Sequence, residues 1–122
     1  MRFTIRVKTT NPNNGSQGWS RNATYAKART RKAQRAQAML ETRAALGLHP
    51  RLPVVVTLTR VAPSNGLDPH DGLGASLKGI IDGITDALGL ASDRDSRVRW
   101  HIEQRRGKPR EYAVEVWVRG PE

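Results

Sequence analysis

The stretch LGASLKGIIDGITDALG, Leu73 to Gly89, decides how this chain folds. Leu73, Leu77, Ile80, Ile81, Ile84 and Leu88 recur at the three- and four-residue spacing of one helical face. Gly89 stands where such a helix would stop. On the N-terminal side, Leu52 to Val61 is short and β-branched and reads as a strand buried on both faces. Pro63 to Pro69 is a turn-rich connection between the two. On the C-terminal side, Val98, Trp100, Ile102 and Gln104 alternate with charged neighbours, and Tyr112, Val114, Val116 and Val118 alternate around Glu115. Both read as strands. The segment Arg105 to Arg110, with Gly107 and Pro109, predicts a basic hairpin loop between them.

Further out, Phe3, Ile5 and Val7 alternate with Thr4, Arg6 and Lys8, the period of a half-buried strand. Asn11 to Asn22 reads as an exposed loop, in which Trp19 serves as an anchor or as a stacking surface for a base. Ala23 to Leu46 has high helix propensity, with Ala33, Ala36 and Leu40 as a thin apolar stripe. Gly47 and Pro50 would end it. The expected order is β-α-β-α-β-β. It implies one α+β domain (α/β-like in its alternation) over residues 1–122, with two helices against a small mixed sheet of about four strands.

Charge is unevenly placed. The net charge is +10, yet all six aspartates (Asp68, Asp71, Asp82, Asp86, Asp93 and Asp95) fall between residues 68 and 95. That window holds only Lys78 and Arg94 as basic residues and carries −4; the remainder carries +14. A basic surface binds a polyanion by neutralising phosphates and releasing counterions. An island of carboxylates offers the oxygen ligands that Mg²⁺ takes. Singly, these aspartates have plainer roles: Asp71 as a helix cap, Asp82 in a surface pair with Lys78, Asp93 and Asp95 in a turn. Lys27, Arg31 and Arg35, four apart, share one helix face, which reads as a solvated helix surface or as a surface that tracks a DNA backbone. With no cysteine there are no disulfides, thiolate zinc sites or cysteine nucleophiles. His49, His70 and His101 lack zinc-motif spacing, and there is no phosphate-binding G-x-x-x-x-G-K-[ST] loop. With no bilayer-length apolar run and no signal-peptide pattern, a cytoplasmic location is the expectation.

Three short motifs occur in order: Asp71-Gly72-Leu73, Lys78 four residues ahead of Asp82, and Asp95-Ser96-Arg97-Val98. Together with Leu67-Asp68-Pro69-His70 ahead of them, and with Trp100, Gln104, Gly107 and Tyr112-Ala113-Val114 after them, they resemble the RusA family. Its members are Holliday-junction resolvases of phages and prophages, small homodimeric Mg²⁺-dependent endonucleases. The resemblance runs from about Leu67 to Val118. It implies catalytic roles for Asp71, Asp95, Lys78 and Asp68. It implies Mg²⁺ (or Mn²⁺) ligation by Asp68, Asp71 and Asp95, with Asp93 as a local substitute. The basic residues Lys27, Arg31, Arg35, Arg105, Arg106, Lys108 and Arg110 would then hold the arms of a four-way DNA junction. Two departures from the family pattern are visible. Asp68 precedes Asp71 by three residues instead of two, and Gly72 stands where the family has Asn. They define the alternative: a non-catalytic nucleic-acid-binding protein of the same fold. A third reading is a basic assembly protein of a phage particle.

Overall fold

Val54–Ala62 forms β2, the inner strand of the sheet, and all but one of its residues are buried. The computed structural model describes residues 1–9, 21–63, 66–67 and 72–121, and the α1 side chains from Lys27 onward. Its elements are β1 (Arg2–Ile5), α1 (Arg21–Leu46), β2 (Val54–Ala62), α2 (Gly72–Ala87), β3 (Val98–Arg106) and β4 (Ala113–Arg119). This is the expected β-α-β-α-β-β order in an α+β fold. The strands lie in the order β1-β4-β2-β3. β2 runs parallel to β3 and antiparallel to β4, and β4 runs antiparallel to β1. Parallel neighbours need a crossover, and α2 supplies it. Among the described residues no helix is long and apolar enough to cross a membrane.

One expectation fails here. Arg105 to Arg110 is not a hairpin loop, because β3 and β4 are not neighbours; β2 lies between them. β3 runs through Arg106, and the connection then passes the end of β2, where the Gly107 N–H donates to the Ala62 carbonyl at 2.8 Å. The reason is burial. β2 is buried on both faces and takes an inner position, whereas β3 has only Val98 buried and suits an edge.

α2 packs on one sheet face. Leu73, Leu77, Ile80, Ile81, Ile84 and Leu88 join Val54, Val56, Leu58, Val98, Val114, Val116 and Val118 in a single aliphatic core. The helix ends as a Schellman turn: Gly89, at φ 74°, donates to the Asp86 carbonyl, and Leu90 donates to that of Thr85.

α1 docks differently from its sequence pattern. Ala33, Ala36 and Leu40 face solvent, with Leu40 62% exposed. Among the described side chains of α1, the buried ones are Ala38 and Thr42. This face is chosen by α2, where glycines let the helix backbones approach. A Cβ on Gly83 would overlap the Arg35 carbonyl oxygen and lie 2.7 Å from the Ala38 Cβ. Polar contacts complete the docking. Gln37 Nε2 donates to the Arg6 carbonyl at 2.9 Å, and Gln34 Nε2 to that of Lys8 at 3.2 Å.

Candidate functional site

The seventh residue of α2 is Lys78, and its ammonium reaches out of the helix toward two carboxylates. Asp82, one turn on, lies 3.1 Å away, as the four-residue spacing requires. Asp93, from the loop ahead of β3, lies 3.4 Å away. That loop is fixed from behind by Trp100, whose indole N–H donates to the Asp93 carbonyl at 2.9 Å. Partial burial works against the Lys78 charge, but the bonds and charges of Asp82 and Asp93 outweigh it and raise its pKa. Lys78 is therefore a firmly charged cation, held by packed elements on both sides.

Asp95 sits in the same loop but has its own partner. Its Oδ1 accepts from the Arg97 backbone N–H at 2.9 Å and from Arg97 Nε at 3.0 Å, and its Oδ2 accepts from Arg97 Nη2 at 2.9 Å. The side-chain bonds, then the backbone bond, hold its carboxyl down from the ordinary 3.8 to about 2. A depressed carboxylate pKa stabilises the loop above the ordinary value, and the effect fades as pH falls toward about 2. The Arg97→Ala variant should return the Asp95 carboxyl toward the ordinary range. A carboxyl-carbon NMR titration would show this as an upward-shifted midpoint; an unmoved midpoint would mean that Arg97 is not what holds it.

The acidic segment on the other side of α2 has a visible anchor. Gln104, on β3, accepts from the Leu67 N–H at 2.8 Å through Oε1 and donates to the Leu67 carbonyl at 2.7 Å through Nε2. One side-chain amide thus acts as a strand partner for the residue just before Asp68. The sequence puts Gln104 in the alternating row with Val98, Trp100 and Ile102 without this role; a glutamine ending an otherwise apolar row was the available signal. Asp68 and Asp71, and also Trp19 and His70, lie outside the described residues.

The structure therefore brings Lys78, Asp82 and Asp93 together and places Asp95 on the same loop, engaged by Arg97. Among the described residues no three His, Asp or Glu side chains converge as a metal site. The two described candidates, Asp93 and Asp95, offer carboxylate oxygens, the donor type that Mg²⁺ takes. Bound there, an ion would share Asp93 with Lys78 and Asp95 with Arg97.

The candidate DNA-contacting residues divide in two. Arg35 is in a two-bonded pair with Asp86, at 2.7 and 2.9 Å, which ties α1 to α2. Arg105 is paired with Glu115 at 3.1 Å in both bonds. Carboxylates offset both charges. Lys27, Arg31, Arg106, Lys108 and Arg110 are exposed. Arg60 was not singled out by sequence. It is 5% exposed, and its guanidinium donates to the Thr9 hydroxyl at 3.1 Å and the Thr9 carbonyl at 3.0 Å. Burial lowers its pKa. No family model matches the chain, and no curated protein matches it.

Proposed function

We propose that this chain is a Mg²⁺-dependent endonuclease of branched DNA that resolves four-way junctions in recombination and repair, as the RusA resolvases that its motifs resemble. The observation that carries this reading is the meeting of Lys78 with Asp93 at 3.4 Å across fifteen residues of sequence. The loop that leads into the third motif thereby reaches the second. In this reading Asp68, Asp71 and Asp95, with Asp93, hold the ion, and Mn²⁺ substitutes for it. A bound Mg²⁺ supplies the Lewis acidity that phosphodiester hydrolysis needs. Lys78 places its positive charge at the scissile phosphate, where charge develops in the transition state. Lys27, Arg31, Arg106, Lys108 and Arg110 follow phosphate geometry and carry little sequence information. A homodimer fits the task, because two related cuts need two equivalent sites.

The test is direct. The purified protein should cut a synthetic four-way junction in Mg²⁺ or Mn²⁺ and leave it intact in EDTA. Binding without cutting in either metal would overturn the catalytic reading. One observation favours the non-catalytic alternative, a nucleic-acid-binding protein of this fold: both oxygens of Asp95 are already bonded by Arg97. That protein would bind junctions with the same affinity in EDTA as in Mn²⁺.

A further inference from the structure

Among the described residues the helices pack on one face of the sheet; the other has no helix against it, and its side chains on the outer strands and at Trp117 are exposed. Register places its side chains in rows, because paired residues share a face. One row reads Arg2, Trp117, Thr57, His101 across the four strands. The row beside it reads Arg119, Val55, Arg99. These two rows carry three arginines, a histidine and an indole, and no carboxylate. On the other side of the first row lie Thr4, Glu115, Thr59 and Glu103. Trp117 is 36% exposed, unusual for a tryptophan on a strand with buried neighbours. The Arg2 guanidinium lies 4.4 Å and that of Arg119 4.7 Å from its ring centroid. A groove of about 320 Å³ opens beside it, lined among others by Arg2, Thr4, Thr57, Thr59, Glu103 and Trp117.

We propose that this open sheet face binds single-stranded nucleic acid, with a base stacked at Trp117 and backbone phosphates held by Arg2, Arg99 and Arg119. Each part of the groove suits one part of a nucleotide. Indole and guanidinium planes form a stacking platform that accepts any base. The threonine hydroxyls and the Glu103 carboxylate can bond a base edge, as carboxylates accept from the cytosine amino group. Glu115 does not repel the phosphates, because Arg105 engages both its oxygens. Arg2 and Arg99 are exposed, and among the described residues no carboxylate forms an ion pair with either. Four strands at about 4.8 Å spacing give a row ~14 Å wide, which fits a short run of nucleotides. The base must be unpaired, since a duplex hides its base faces. This surface is separate from the Lys78 site and does not depend on the nuclease reading.

A fluorescein-labelled oligodeoxycytidylate, titrated with the full chain in EDTA and followed by anisotropy, tests the proposal. The unaltered protein should bind it, more weakly as salt rises. Trp117→Ala should weaken binding about tenfold, and Trp117→Phe should retain most of it. Arg99→Ala should make the log–log salt slope shallower by about 0.7. Unchanged affinity in Trp117→Ala, with the fold verified by circular dichroism, would overturn the proposal. If that variant does not fold, the exposed pair Arg2→Ala and Arg99→Ala decides, and unchanged affinity and slope overturn it equally. A change in sedimenting mass with no change in oligonucleotide affinity would assign the face to a second copy of the chain, against the proposal. Since EDTA removes the divalent ion and no junction is present, failure here leaves the cutting assay untouched, and the reverse also holds.

Discussion

Gly83→Val should unfold this protein or leave it barely stable. The α1 and α2 backbones meet at Gly83, where even a single added carbon overlaps the Arg35 carbonyl oxygen and comes within 3.0 Å of the Met39 nitrogen. Neither is the movable end of a side chain. Relief requires the helices to separate, which would open Ala38, wholly buried, and strain the Arg35–Asp86 pair. Overpacking commonly costs about 1–3 kcal/mol, and rigid backbone on the far side puts this case at ~3 kcal/mol or above. That is a large share of a small domain's stability. Gly74 is the internal control. It sits in the same helix, and a Cβ there would meet nothing within 4 Å. Gly74→Ala should stabilise by about 0.5–1 kcal/mol through helix propensity alone. Urea unfolding of both variants would show it: midpoints that move in the same direction would mean that the helix contact is not the constraint.

The other large effect concerns chemistry. If the nuclease reading holds, Asp71→Asn and Asp95→Asn should each lower the junction-cutting rate by at least about a hundredfold. Junction binding should persist or tighten, because each change removes a negative charge that faces phosphate. Lys78→Met should also slow cutting, by about a hundredfold or more, by removing a preorganised cation. It should leave the fold intact, since Lys78 is 42% exposed and its two ion pairs lie near the surface. Single-turnover cutting, measured beside binding on the same junction, separates the two quantities. Full cutting by Asp95→Asn would remove Asp95 from the site and leave Arg97 as its partner in a purely structural turn.

How far each element was legible depends on what holds it. α2 could be read because burial on one face imposes a helical period on Leu73 to Leu88, and β2 because a short β-branched run, Leu52 to Val61, marks a strand buried on both faces. α1 was legible as a helix but not in its orientation. Its inner face is set by the glycine gap on α2 and by Gln34 and Gln37, none of which registers as an apolar stripe. The neighbour order of the strands was not legible, because pairing is decided by contacts remote in sequence. The same distinction divides the site. Lys78–Asp82 follows from helical spacing. Lys78–Asp93 follows only once the loop before β3 folds back and Trp100 fixes it. The Asp95–Arg97 turn is local, two residues apart, and its plain reading as a turn accords with the geometry. The Gln104–Leu67 clamp joins an edge strand to a loop thirty-seven residues away, and spacing alone does not suggest it.

The glutamine contacts of α1 have a consequence for how this protein behaves in a crowded solution. β1 is the outermost strand on its side of the sheet, and such a border exposes backbone groups that can recruit a strand from another molecule. Gln37 and Gln34 occupy the carbonyls of Arg6 and Lys8, just past the end of that strand. The helix therefore binds off the chain where it leaves the sheet, and these two carbonyls are already engaged within the molecule.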